Sequence, residues 1–537
     1  MNVPLLTIIL ILYLAVTIYL GVRGYRKTKT ASDYLVAGRR IHPVLLALSY
    51  GATFISTSAL VGFGGFAAWW GLSLFWIVFL NIFVGIFIAF AFYGKRTRRF
   101  GYVLQAHTFP ELLGKRFKSK FLQVFGGFFI FLFMPLYAAA VLLGASRLLE
   151  SLLNIDFRIA ILIYTIIVAA YVFVGGIKGV IYTDALQGAI MIFGMLFLII
   201  YTIYICGGLV PGLQTLNSPE LKGQIVKVFG KLGHQGWTSL PKTGSIFWWV
   251  IFSSLTLGVG IGVLVQPQLV VRFMMVKSRR ELYRSLILGS IFILLMTGGA
   301  YFTGTLSNVY FFKTFGKPAI LLKEINGNVD KIIPFYITQA MPEWFSYIFL
   351  LTILSAAMST LSSQFHAIGT AVGRDIYEKG LAQISNTDKK DENTIMFTRA
   401  GIIITLFFTA LLAYYLPGSI IARATAVFFG LCTATFLPSY TAMLFWKKTT
   451  KAGVIASSLT GFISMIILFL FVYGKTTKAF GIAKLIFGPN YKISLPWSVI
   501  DPLVFALPLS TIVLIVVSLI TKDTVPEITK YLFEEKK

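Results

Sequence analysis

The sequence predicts an all-α polytopic membrane protein of about 13 transmembrane helices, ten of them forming two five-helix units that enter the bilayer from opposite sides. Three observations carry this. Apolar residues make up 57% of the chain and charged residues 12%, and the mean hydropathy of +0.82 is outside the range of soluble domains of this length. The apolar residues gather into thirteen stretches, each able to cross a hydrocarbon core that needs about 20 residues. The second and seventh stretches, five crossings apart, are both interrupted by glycines. Five is odd, so a second unit beginning at the seventh stretch is inverted relative to the first. Interrupted segments at matching positions are the best sequence pointer to a midplane binding site.

The stretches run over 3–22, 43–70, 72–94, 121–146, 158–174, 184–206, 244–271, 284–306, 343–373, 396–415, 419–446, 452–473 and 502–520. The first is too long for a signal-peptide core and reads as a retained span. Residues 1–42 then hold the first helix and its loop, 43–206 the first repeat (helices 2–6), and 207–446 the second (helices 7–11). Residues 447–537 hold peripheral helices 12 and 13 and a short tail, too short for a folded appendage.

Loop charge sets the orientation. The loops 23–40 and 95–120 hold six and eight Lys/Arg, whereas 209–242, 307–332 and 475–493 hold four Lys each and no Arg. The positive-inside rule puts the first loop and the C-terminus in the cytoplasm and the N-terminus outside, in a cell membrane. The formal charge of +27 therefore points to anionic lipid rather than nucleic acid. Cys206 and Cys432 lie at or within spans and suggest no disulfide. The four histidines have no metal-ligand spacing. No phosphate-binding G-x-x-x-x-G-K-[ST] loop is present, which argues against a pump. No nucleophile–base pair marks an enzyme, and no obligate protein partner or cofactor is implied.

The second span, His42 to Gly71, is a poor helix former. It carries Ser49, Thr53, Ser56, Thr57 and Ser58 together with Gly51, Gly62, Gly64 and Gly65. Hydroxyls and neighbouring helices can re-satisfy backbone freed by unwinding, and freed carbonyls suit a hard cation such as sodium. The same residues also suit a close-packed helix. In the seventh span Gly258, Gly260 and Gly262 precede Gln266 and Pro267, which fits a second discontinuous helix or a proline kink. A dinucleotide loop is disfavoured because no strand precedes it. In the ninth span Ala356, Ser359 and Thr360 are spaced i, i+3, i+4 and share a face. With the carbonyls of Ala52 and Ile55 they form a neutral-oxygen sodium shell, or else a Ser/Thr helix interface. Asp184, at the start of the sixth span, is either a guide on the ion's way out or a helix N-cap. Arg423 meets an anionic solute or snorkels to headgroups.

Four motifs, ASDYLVAGRRI, GGIKGVIYTDALQ, QPQLVVRFM and SAAMSTLSSQ, in this order, resemble the sodium:solute symporter family across about residues 1–470. The resemblance implies a LeuT-type 5+5 inverted repeat and sodium-coupled uptake by alternating access. It implies a sodium site at Ala52, Ile55, Ala356, Ser359 and Thr360, with Asp184 on the sodium exit path, and Tyr137 matches a pocket tyrosine. Ser56, Thr57, Tyr137, Val263 and Gln266 are the expected substrate positions. Where the proline permeases carry an aspartate this chain has Phe54, and Val259 and Val263 replace their aromatic residues. The expected solute is a small organic acid or amino acid. A proton-coupled symporter of the same fold, or a non-transporting sensor, are the alternatives.

Overall fold

The computed structural model describes residues 3–26, 36–37, 41–172, 177–381, 390–521 and 532–533. Among these residues the backbone is helical nearly throughout, with no strand and one isolated bridge between Ile41 and Val276. Eleven helices are long and apolar enough to cross a membrane, and two shorter apolar helices, Pro43–Phe54 and Phe157–Ala169, accompany them. One run, Ser58–Val103, has 46 residues and would measure about 69 Å as a single helix. That is more than twice a ~30 Å hydrocarbon core, so it holds two crossings. It turns at Gly71, whose φ of +76° favours a residue without Cβ. Pro43–Phe54 and the run up to Trp70 together make the second span, which restores the thirteen crossings expected.

Several helices outrun their apolar stretches. The fourth extends over Lys120–Leu153, the sixth over Ile177–Ile205 and the tenth over Lys390–Tyr415. Hydropathy registers only the part that needs lipid, whereas the helix continues as long as its backbone bonds do.

The second span starts sharply. His42 is extended, its side chain accepts from the Val44 N–H, and Pro43 occupies the first turn, where a missing N–H costs nothing. The helix ends at Phe54, and the Ile55 N–H reaching Gly51 O at 2.8 Å closes its last turn. Ile55 is extended (φ −86°, ψ 107°), and the helix resumes with a π-helical turn, Ser58–Phe63. In the seventh span the break falls at Gln266 (φ −65°, ψ 118°), between the short 3₁₀ turn Val263–Val265 and the helix Pro267–Met274. Proline pushes its preceding residue out of the helical region.

Neither break falls on the glycines thought to cause it. Gly258, Gly260 and Gly262 lie inside the helix Leu257–Gly262; a Cβ on Gly260 would meet Leu80, and one on Gly262 would meet Phe429 and Thr433. Gly64 faces Gly304 of the eighth span backbone to backbone. The glycines bring helices together, and the extended Ile55 and the Gln266–Pro267 step do the breaking.

Burial separates interior from periphery. The most apolar windows of the ninth and eleventh spans are 89% buried and those of the fourth and seventh 72%, against 22%, 33% and 28% for the first, twelfth and thirteenth. The first span is still anchored inward: Tyr13 OH lies 3.1 Å from Ser355 Oγ and accepts from Gln187 Nε2 at 3.2 Å.

Candidate functional site

The break after Phe54 sets up the site. Beyond the Ile55–Gly51 bond, the carbonyls of Ala52 and Thr53 turn to the ninth span. Ser359 Oγ lies 2.8 Å from Ala52 O, 2.8 Å from Ser355 O and 3.3 Å from Ala356 O. Thr360 Oγ1 lies 3.4 Å from Ala52 O and 3.2 Å from Thr53 O. Ala52, Ala356, Ser359 and Thr360 are all fully buried. The structure thus brings together four of the five residues expected to form the ion shell and adds Thr53. Ile55 sits at the break and lines the adjoining cavity. A hydroxyl that donates to a carbonyl, and one that shares a hard cation with it, need the same juxtaposition of neutral oxygens.

That cavity, at the break, has about 20 Å³ of room, enough for about one water molecule. Ser56, Ser58, Asn81, Tyr137, Tyr301 and Phe429 line it together with Phe54, Ile55 and Val259, and all nine are buried. Tyr137 OH donates to Ser56 Oγ at 3.4 Å, so these two expected substrate positions meet. The other three do not line the cavity. Thr57 Oγ1 turns to Val141 O at 2.5 Å, because the helix resumes beneath it and orients it to the fourth span. Val263 packs on Gly85. Gln266 Nε2 folds back onto Gly262 O at 3.0 Å.

Toward the Lys/Arg-rich end lies a buried ion pair. Arg272, on the helix after the seventh-span break, is 1% exposed and Asp184 of the sixth span 0%. Arg272 Nη2 lies 2.9 Å from Asp184 Oδ2 and donates to Ser363 Oγ at 2.8 Å and to Thr53 Oγ1. Its Nε donates to Ser49 Oγ at 3.2 Å and its Nη1 to Gln268 O at 2.7 Å. Ser49 Oγ donates to Asp184 Oδ2 at 2.7 Å. One guanidinium therefore ties the second, sixth, seventh and ninth spans together. Thr53 joins this network to the ion shell: its carbonyl accepts from Thr360, and its hydroxyl lies 3.4 Å from Asp184 Oδ2 and 2.9 Å from Ser363 Oγ. Asp184 lies seven residues inside the helix Ile177–Ile205, so the N-cap alternative is wrong; the helix already runs through 177–183, ahead of the apolar stretch 184–206. Arg272 itself was missed. The signal was available, since an arginine inside an apolar run is a functional candidate by default.

At the same end, Glu111 accepts from Arg374 Nε at 3.0 Å and Nη2 at 2.9 Å, from the His107 N–H at 2.8 Å, and pairs with Lys115 at 2.8 Å. Burial alone would raise its pKa; hydrogen bonds from His107 and Arg374 and the charges of Arg374 and Lys115 outweigh that and hold it well below the usual carboxylate range.

The opposite end is closed differently. Trp237 Nε1 donates to Ala68 O at 2.7 Å. His234 Nδ1 accepts from the Gly236 N–H at 3.0 Å, which leaves Nε2 to donate to Trp69 O at 2.8 Å. Burial lowers the His234 pKa, in keeping with this neutral tautomer. Arg423 neither lines the cavity nor snorkels freely: its guanidinium sits 5.4 Å from the centre of the Phe66 ring. Nearby, Asp330 Oδ2 accepts from the Ile420 N–H at 3.1 Å, and burial pushes its pKa up to about 6.

Comparison with known proteins agrees with this architecture. The sodium:solute symporter family model matches residues 34–461. A sodium/pantothenate symporter of Haemophilus influenzae is 28% identical over 86% of this chain and 89% of its own length. A high-affinity proline transporter of Bacillus subtilis is 28% identical over 83% and 89%, and a sodium/proline symporter of Escherichia coli 25% identical over 85% and 86%. Among solved structures, a Na+-coupled sialic acid symporter in a substrate-bound outward-open state superposes with a TM-score of 0.73 at 20% identity, covering 96% of both chains; this likeness bears on the fold, a LeuT-type arrangement of broken helices. The relatives are transporters, not enzymes, and the chain belongs to the sodium:solute symporter family.

Proposed function

We propose that this symporter binds its coupling sodium at the carbonyls of Ala52 and Ile55 on the second span and of Ala356 on the ninth, with the hydroxyls of Ser359 and Thr360. The solute, a small organic acid or amino acid, sits in the cavity beside Ser56 and Tyr137. The observation that carries the ion site is the break after Phe54, which frees the Ala52 and Thr53 carbonyls opposite two hydroxyls of the ninth span. Neutral oxygens bind sodium weakly enough to release it, as a coupling ion requires.

Asp184 is the first carboxylate on the way to the Lys/Arg-rich end, which faces the cytoplasm by the positive-inside distribution, with the N-terminus outside. Arg272 neutralises it, so an ion leaving that way displaces the guanidinium from Asp184 and from Thr53. Release of sodium and opening of that end are then one event. No carboxylate lines the cavity, which disfavours a proton carrier next to the solute.

The test is uptake of labelled proline and pantothenate, the solutes named for relatives, into proteoliposomes over a range of sodium concentrations. Losing one oxygen worth about 1.4 kcal/mol corresponds to tenfold in affinity. Ser359→Ala and Thr360→Ala should each raise half-saturating sodium about tenfold; an unchanged value in both variants removes the site.

A further inference from the structure

Beyond the thirteenth span the structure describes Leu532 and Phe533, and both dock on the Lys/Arg-rich end of the molecule. Leu532 is 1% exposed. The Phe533 ring stands edge-on to Phe100, with 5.6 Å between ring centres, and its centre lies 5.9 Å from the guanidinium carbons of both Arg96 and Arg116. Arg96 and Phe100 belong to the helix Lys95–Val103 that continues the third span, and Arg116 ends the helix Phe109–Arg116. Arg116 is 1% exposed, and its Nε has no partner among the described residues. A buried cation is costly, and aromatic faces offset part of that cost; Phe117, at 4.8 Å, and Phe533 supply them.

The two arginines under Phe533 both reach the end of the eleventh span. Arg96 Nη1 donates to Leu444 O at 2.7 Å, and its guanidinium lies 4.7 Å from the centre of the Phe445 ring. Arg116 Nη2 donates to Lys447 O at 3.5 Å. Shielding such bonds from water strengthens them. On its other side the helix Lys95–Val103 is joined to the seventh span. Arg98 Nε donates to Val276 O at 2.9 Å and Arg98 Nη2 to Lys277 O, just beyond the helix Pro267–Met274 that carries Arg272. A Cβ on Gly94 would meet Phe273, and one on Gly101 would meet Met274. Opening that moves the Arg272 helix away from the eleventh span would carry Lys95–Val103 with it and break the contacts that Phe533 covers.

We propose that Leu532 and Phe533 form an autoinhibitory clamp, which when docked holds the cytoplasmic end closed by tying the third span to the eleventh. This rests on the reading of that end as the ion's way out. A contact made in only one of two conformations shifts the population toward that conformation by its own differential strength. Undocking of Phe533 then favours the open form without any change at Ala52, Ser359 or Thr360.

The test uses Thr97, which is 0% exposed and hydrogen-bonded to the Tyr440 hydroxyl of the eleventh span, so it lies on the seam that opens. Thr97→Cys is introduced into the full-length protein, and labelling by a water-soluble maleimide is timed in sodium chloride and in choline chloride. Peptide mass spectrometry assigns the label, and Cys432, buried in the eleventh span, reports unfolding. Adding Phe533→Ala should speed labelling of the introduced thiol at least about fivefold while Cys432 stays unlabelled. Phe533→Leu, which keeps an apolar body but no ring, should speed it less. Equal rates with and without Phe533→Ala, or faster labelling only when Cys432 is labelled alongside, would overturn the clamp. Sodium separates the clamp from the ion site. If sodium alters the rate in the Thr97→Cys protein and Phe533→Ala does not, the clamp fails and the ion site stands. If Phe533→Ala speeds labelling and sodium changes neither protein, the clamp stands and the ion site fails.

Discussion

Arg272 and Asp184 show how one residue pair can hold four helices. Both are fully buried, so their value lies in being together. Removing one partner of a buried pair leaves an uncompensated charge and costs about 3–5 kcal/mol, whereas removing both charges is much milder. Arg272→Met should therefore destabilise the protein by that amount in denaturant unfolding, and adding Asp184→Asn should restore a large part of it. Equal damage from the single and double variants would mean that the guanidinium acts by packing alone. Asp184 was legible in the sequence because an acid near a span start stands out. Its partner was not, because Arg272 lies 88 residues away and only the fold brings them together.

Asp330 gives a residue-level pH dependence. Its carboxyl is raised from 3.8 to about 6, so folding favours the protonated form. That contribution to stability is complete below about pH 4 and is lost as pH rises through about 6. Unfolding measured across pH 4–7 should show this decline, and Asp330→Asn should flatten it; an identical slope in the variant would remove Asp330 as its source.

At the scale of elements, the two broken spans frame the candidate site, and the sequence revealed their existence better than their cause. Glycine and hydroxyl content correctly singled out the second and seventh spans. The kink at Gln266–Pro267 was among the sequence readings, whereas the break at Ile55 was not apparent, because an extended isoleucine is imposed by what the freed carbonyls find across the interface. Only the proline after Gln266 is a local signal. The glycines have a separate task that substitution can isolate. A Cβ at Gly304 would collide with the Gly64 backbone, while one at Gly21 would meet nothing within 4 Å. Gly304→Ala should cost up to about 3 kcal/mol, the upper range for overpacking, and lower the unfolding temperature, with Gly21→Ala neutral. Equal tolerance of both would mean that the second and eighth spans are not held backbone to backbone.

At the scale of the molecule, composition and span count were legible because a bilayer imposes them: lipid demands apolar helices of a set length. The partition into a buried interior of spans 4, 7, 9 and 11 and a lipid-facing periphery could not be read from hydropathy, since both classes are apolar. It follows instead from the hydroxyls of the inner helices, such as Ser355, Ser359 and Thr360, which find their partners only in the assembled fold. The same arrangement puts the Ser359 and Thr360 contacts to Ala52 and Thr53 and the adjoining cavity at one break. Thr53, at that break, contacts Thr360 on one side and Arg272 and Asp184 on the other.

Direct binding of sodium-22 to the purified protein, by scintillation proximity, tests whether this break creates an ion site. The parent should bind saturably, with displacement by unlabelled sodium and not by potassium, and the double variant Ser359→Ala/Thr360→Ala should lose that binding while remaining folded. Undiminished binding in the folded double variant, or no saturable binding by the parent, would contradict a sodium site between the second and ninth spans.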